Sequence, residues 1–393
     1  MSQPTAVSPS SGPLQVPAPR TPSLRELHTL HGHKWATVDP DVISMTVAEM
    51  DFPLAPAVAD ALRRAIDQSD LGYALAAPRA LVDSLTAFAA RRLNWAIDPD
   101  QVRVVPDVVV GLVELCRAAT APEDGIGFAT PAYPPFYTEL GRLGRPLVEL
   151  GLTPDGGLVL DDLDRALASG MRVLVLSNPH NPTGRVLPRE EMEAIAERCA
   201  AAGAWVLADE VHAPLVLPGA THLPWLEVSD AARRCGIALT AASKAFNLAA
   251  LKTAFIITAD TGADGLVNRL GPHHHHASLL GEIAAEAAFR DGDTWLDAVI
   301  AQLDDNRTRL DQLLAERLPK VSWRPPQGTY LAWLDCRALE LPGEPAEIFL
   351  QHGRVALGHG PDFGRAGEGH VRLNFATGSE HLDEAIRRMA AVH

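Results

Sequence analysis

Three residues of different chemistry follow three apolar runs of this chain at intervals that suit one α/β unit each. Lys244 stands in ASKAFN directly after GIALTAA (236–242), and Asp209 closes AWVLAD (204–209). Asn181 lies in NPHNPTGRV, just beyond MRVLVLS (171–177). A lysine at the mouth of a buried strand is partly desolvated, which disfavours the ammonium and leaves an amine able to form an imine with an aldehyde. A strand-end carboxylate such as Asp209 can pair with a heterocyclic nitrogen and keep it protonated, as an electron-accepting ring requires. Two Asn-Pro steps and a glycine make the NPHNPTG stretch a rigid, non-helical loop, with Asn178 and Asn181 as candidate hydrogen-bond donors. Singly, each has an ordinary reading: a lysine snorkelling from a strand end, or Asp209 and Glu210 as a helix cap or solvated pair. The constellation is far more specific than any member of it.

The elements that must position these residues alternate between helical and strand patterns, which predicts an α/β fold with a mainly parallel sheet. Residues 56–68 put Val58, Leu62, Ala65 and Ile66 on one helical face, and 79–93 form a second amphipathic helix. QVRVV (101–105) reads as a strand and GLVELCRAA as the helix after it. The runs at 171–177, 204–209 and 236–242, with TAFIITA (253–259), read as buried strands. Each has a turn or polar cluster at its carboxyl end, where α/β sheets place ligand groups. After about residue 286 the texture changes to a long helix (294–317), VSWRPP, the strand TYLAWLDC, and VRLNFA. The expected organisation is a tail at 1–23, a segment at 24–50 packing with the small domain, a large domain at 51–285, and a smaller α+β C-terminal domain at 286–393.

The balance of 49 acidic against 34 basic residues gives a formal charge of −15. Such a surface repels phosphate backbones and anionic lipid, so nucleic acid and membrane are discounted as partners. A small substrate carrying a carboxylate stays open, because the local field of a cleft can oppose the global charge. Apolar residues at 47% and charged residues at 21% suit a globular chain, and no run approaches the length of a membrane span. Cys116, Cys199, Cys235 and Cys336 lie far apart with no C-x-x-C spacing, which indicates neither zinc nor disulfides and agrees with a reducing cytoplasm. The opening MSQPTAVSPSSGPLQVPAP lacks the basic and apolar regions of a signal peptide. Rich in Pro and Ser, it reads as a disordered tail, and the expected location is cytoplasmic.

Motifs along nearly the whole chain after the tail carry a family likeness: TVAEMDFPLAP, LGYA, VPDVVVGL, TPAYPPFY, SNPHNPTGRV, ADEVHAPLV with HLPW, ASKAFNLAALK, PQGTYLAWLD and VRLNFAT. Together they resemble the fold-type I pyridoxal 5′-phosphate (PLP) enzymes of the class I/II aminotransferase superfamily. Within it the likeness is to the branch of cystathionine β-lyases and related carbon–sulfur lyases. The resemblance implies that Lys244 carries PLP as a Schiff base and later moves the substrate Cα proton. It implies that Asp209 pairs with the pyridine nitrogen, that Asn181 bonds the ring oxygen and helps orient the substrate carboxylate, and that Tyr133 stacks on the ring. Arg372 would grip the α-carboxylate with its planar fork. Tyr73 would reach the active site of a neighbouring subunit, implying a homodimer with shared sites. His212 occupies the place of a tyrosine found near the ring oxygen in many aminotransferases, with a core histidine as the other reading. The phosphate is expected on the backbone amides of Val108 and Val109, where a helix N-terminus supplies aligned N–H groups. Ser243 would add a hydroxyl, and Lys252 stands where aminotransferases carry a phosphate-binding arginine.

Two segments stand apart. His273 to His276 form an internal tetrad; no other ligand cluster accompanies it, so no metal site is expected, and contact with substrate stays open. The loop 355–364 has Gly358, His359 and Gly360 where relatives tend to have Asn-Asp-Gly. The implied reaction is α,β-elimination from an L-cysteine S-conjugate such as cystathionine. An aminotransferase acting on an L-amino acid, or a PLP-binding regulatory protein, are the competing readings.

Overall fold

The computed structural model describes residues 20–75, 78–270 and 276–392. Residues 1–19 of the expected tail, and His273 to His275 of the tetrad, lie outside the described residues. The described chain opens with a capping box, in which Ser23 and Glu26 satisfy each other's backbone N–H at the start of the helix Leu24–Leu27.

Twelve strands, in chain order, are found among the described residues: β1 (Ile43–Met45), β2 (Val102–Val105), β3 (Gly125–Ala129), β4 (Leu147–Leu150), β5 (Met171–Ser177), β6 (Trp205–Asp209), β7 (Gly236–Thr240), β8 (Ala254–Ile257), β9 (Ser322–Trp323), β10 (Leu331–Asp335), β11 (Val355–His359) and β12 (His370–Asn374). Seven form one sheet in the order β2-β8-β7-β6-β5-β3-β4. Its strands β4, β3, β5, β6 and β7 are parallel, while β8 runs antiparallel to both β7 and β2. The sheet is thus mainly parallel, as the alternation predicts. The central strands read as unbroken apolar runs because both faces are covered. Along β5, Val173 and Val175 enter the core beneath the helix Val108–Ala119, while Leu174 and Leu176 enter the larger core on the other face. Gly111 lets that helix lie close to β7, since a Cβ there would meet Leu239 at 2.9 Å.

The other five strands form a sheet in the order β1-β11-β12-β10-β9. Its β1 comes from the N-terminal segment and pairs parallel with β11. Residues 46–51 then run from β1 toward the first long helix, Pro56–Asp67. They are anchored by a fully buried ion pair, Lys34 Nζ to Asp51 Oδ2 at 2.9 Å. Trp35 Nε1 donates to the other carboxylate oxygen at 2.7 Å.

Three details depart from the sequence reading. Ile66, expected on the apolar face of the helix Pro56–Asp67, is exposed, and Val58, Ala61 and Ala65 form the buried stripe. Strand β8 is reversed, because the connection from β7 is a short turn-rich segment and not a crossover helix, so its beginning lies beside the carboxyl ends of its neighbours. Residue 286, where the texture changes, falls inside the helix Leu279–Asp291, which packs on Pro56–Asp67 and Arg79–Leu93.

Removing one partner of a buried ion pair leaves the other charge uncompensated. Asp51→Ala is therefore expected to destabilise the chain by about 3–5 kcal/mol, measured by urea unfolding, whereas a loss under about 1 kcal/mol would mean that Lys34 finds water or another partner.

Candidate active site

The carboxyl ends of β5, β6 and β7 and the start of β8 converge with the N-terminus of the helix Val108–Ala119 on one cavity of about 250 Å³. Asn181, Asp209 and Lys244 all line it, as their spacing implies, together with Val108, Val109, Tyr133, His212, Ser243 and Lys252. Sequence reasoning did not single out Val47, Ala48, Glu49, Asp107, Ser177 and Thr253, which also belong to the lining.

Lys244 sits in a single helical turn, Ala242–Ala245, directly after β7. Its ammonium donates to the carbonyl of Ala48 at 3.0 Å. Burial, and next the charge of Arg372, push its pKa down to about 8, against the opposing pull of Glu49 and Asp209. Asp209 ends β6 and is buried, and burial raises its carboxyl to about 6 although Oδ1 accepts from the Val211 N–H at 3.2 Å. His212 is buried with Nδ1 unpartnered, and burial holds its imidazole well below the ordinary histidine value. Tyr133 precedes the helix Pro134–Gly141, and burial raises its phenol.

Arg372, on β12, is not among the lining residues and sits behind one of them, Asn181. Its Nη1 donates to Asn181 Oδ1 at 3.1 Å and its Nη2 to the Thr46 carbonyl at 2.9 Å. The guanidinium lies 4.9 Å from the Phe363 ring centroid, a cation–π contact that brings the divergent 355–364 loop against the site. Among the described residues no carboxylate pairs with this buried cation and Nε has no hydrogen-bond partner, so the guanidinium keeps donor capacity for a ligand anion.

The expected phosphate seat has a tenant. Asp107 is the N-cap, and its Oδ1 accepts from the N–H groups of Val109 at 2.7 Å and Val110 at 3.4 Å. Lys252 donates to Asp107 Oδ2 at 2.7 Å. The N-cap signal, an Asp directly before an apolar stretch, is legible in PDVVVGL even though Val and Gly are weak helix formers.

Tyr73 is fully exposed and contributes nothing to the cavity of its own chain. His276 does not line the cavity either. Among the described residues no group of acidic, histidine and cysteine side chains could hold a metal, and no helix is long and apolar enough to cross a membrane. All four cysteines are buried and free.

A family model for aminotransferase class I and II matches residues 40–389. The chain belongs to that family. A Mycobacterium tuberculosis protein provisionally named a cystathionine beta-lyase is 43% identical over 384 residues, spanning 91% of this chain and 93% of its own length. A Corynebacterium glutamicum protein named cystathionine beta-lyase is 35% identical over 376 residues, 95% of this chain and all of its own. Among solved structures, a Corynebacterium diphtheriae protein provisionally described as a PLP-dependent beta-cystathionase superposes with a TM-score of 0.91 at 36% identity, covering 95% of this chain and 98% of that one.

The electrostatics give a pH signature. Of the four lysines, Lys34 is buried in an ion pair, Lys252 is bound to Asp107, Lys320 is exposed, and Lys244 alone opens onto the cavity as a depressed amine. A lowered pKa means that the reactive neutral amine accumulates as pH rises through that value. Competitive labelling of the cofactor-free chain should give a Lys244 midpoint near pH 8, and a midpoint above about 10 would contradict the desolvated site.

Proposed function

We propose that this cavity holds PLP bound to Lys244 and that the chain is a PLP-dependent carbon–sulfur lyase. It would cleave cystathionine or a related L-cysteine S-conjugate, with water, to a thiol, pyruvate and ammonia. The observation that carries the cofactor is a depressed amine and a buried carboxylate without a counter-ion on adjacent strand ends of one cavity, with a guanidinium behind Asn181 whose Nε is unpartnered. The group fits what these residues lack. Asp209 is a buried acceptor in want of a cation, His212 Nδ1 and Arg372 Nε are orphaned, and Lys244 is an amine poised between charge states.

When bound, PLP supplies an electron sink conjugated to the substrate Cα. The chain's own residues do the rest. Asp209 keeps a ring nitrogen protonated, and pairing of that kind stabilises the carboxylate form that burial alone disfavours. Arg372 takes the α-carboxylate on its fork, with Asn181 fixing the guanidinium from the other side. Lys244, its amine near neutrality, removes the Cα proton and returns it elsewhere along the reaction. The Ala48 carbonyl, which accepts from the Lys244 amine, fixes where that amine rests between turnovers. Tyr133, at the start of its helix, forms the aromatic wall of the cavity.

The named lyases among the relatives, each matched over most of both chains, favour elimination over amino-group transfer, since the residues above serve both. A homodimer is part of this reading. Leu54, Ile66, Leu71, Tyr73 and Leu75 leave an exposed apolar stretch at residues 54–75, and a second copy would cover it and receive Tyr73 at its own cavity.

Incubation with cystathionine should release pyruvate and thiol without a keto-acid acceptor. Turnover only in the presence of such an acceptor, with no pyruvate, would overturn the lyase reading in favour of an aminotransferase. Arg372→Lys keeps a charge but loses the fork. It should raise KM by about 30–150-fold, the cost of about 2–3 kcal/mol for charged hydrogen bonds, with a smaller change in kcat. An unchanged KM would remove Arg372 from the substrate site.

A further inference from the structure

At the N-terminus of the helix Val108–Ala119, where the cofactor phosphate is expected, backbone amides and the Lys252 ammonium meet at the cavity, and a side chain of the protein already uses them. Asp107 takes the Val109 and Val110 N–H groups with one carboxylate oxygen and the Lys252 ammonium with the other. Burial alone would raise this carboxyl, but the hydrogen bond and charge of Lys252 and the two amides outweigh it and hold it lowered. Asp107 is therefore an anion at neutral pH. It lines the same cavity as Lys244 and Ser243.

A phosphate monoester carries between one and two negative charges at neutral pH. It cannot use the Val109 amide while the carboxylate does, and it shares a single cation with it. The only other lysine or arginine in the lining is Lys244, which is committed to the imine in the loaded enzyme; Arg372 lies outside the lining, behind Asn181. Two anions and one ammonium then meet at one helix end. Like charges at such a distance disfavour each other unless one retreats or the cation holds both.

Resting on the PLP reading above, we propose that Asp107 is an internal competitor for the cofactor's phosphate: it occupies the anion seat, lowers the affinity for PLP, and makes Lys252 necessary for retaining the phosphate beside it. The helix dipole and amides supply the attraction, Asp107 discounts it, and Lys252 offsets that discount. The chain would then hold its cofactor less tightly than its amides and lysine alone allow, and loading would follow the supply of the phosphorylated form.

The test is titration of the cofactor-free, full-length protein with PLP and, separately, with pyridoxal, which lacks the phosphate. Binding is read by tryptophan fluorescence and by the absorption of the lysine-bound aldehyde. Asp107→Asn removes the charge and keeps a good N-cap. It should bind PLP at least about tenfold more tightly than the unchanged protein, a shift of about 1.4 kcal/mol, while pyridoxal affinity stays within about twofold. Lys252→Met should weaken PLP binding strongly in the unchanged background and much less with Asp107→Asn. Asp107→Ser serves as a second variant if the first fails to fold. An unchanged or weaker PLP affinity in both Asp107 variants, or an equal gain for pyridoxal, would overturn the competition. If the unchanged protein forms no lysine-bound cofactor at all, the cofactor reading itself fails. A lysine-bound band with no effect of Asp107 removes only this inference.

Discussion

The structure depends on a six-residue strap, Thr46 to Asp51, whose successive carbonyls tie the site together. Thr46 accepts from Arg372, Val47 and Glu49 from Asn374, Ala48 from both Lys244 and Tyr330, and Met50 from Asn247. Donors from β12, from the segment before β10 and from the turn after β7 thus meet on one extended stretch of backbone. Buried carbonyls demand partners, so the strap can satisfy its own hydrogen bonds only when the elements of both sheets are in place. The Lys34–Asp51 pair fixes one end and β1 the other. The position of the Lys244 amine is therefore set by the whole fold and not by its own helical turn.

Within that frame Lys244, Asp209 and Arg372 are hydrogen-bonded, but none of the three has an ion-pair partner among the described residues. Burial lowers Lys244 to about 8 and Arg372 to about 10, and raises Asp209 to about 6. Each shift expresses the same cost, a charge taken from water without a full partner, and each would be relieved by a ligand of complementary charge. An aldehyde for the amine, a ring nitrogen for the carboxylate and a substrate carboxylate for the guanidinium meet all three demands. A chain with a formal charge of −15 can thus present a locally cationic end to an anionic substrate.

Much of this site is legible in the sequence, because strand ends in an α/β sheet are local features. Lys244, Asp209 and Asn181 each follow an apolar run, and the runs became adjacent parallel strands. What stayed hidden is long-range. No spacing shows that Ala48 faces Lys244 across 196 residues, or that Arg372 binds Asn181 across 191. Strands β3 and β4 are not legible in the same way, because GIGFA is broken by small residues and the rim strand LVEL is partly exposed. The direction of β8 cannot be read from its composition, since a buried antiparallel strand is as apolar as a parallel one. Ile66 shows the same limit from outside: helical periodicity marks an apolar stripe without saying what covers it.

The claim that orders the rest is that Lys244 carries the cofactor. Borohydride reduction of the PLP-loaded protein, followed by peptide mapping, tests it directly, because only four lysines compete. The account predicts a single pyridoxyl adduct, on Lys244, lost in Lys244→Ala. An adduct confined to Lys252, or undiminished labelling of the Lys244→Ala protein, would contradict it.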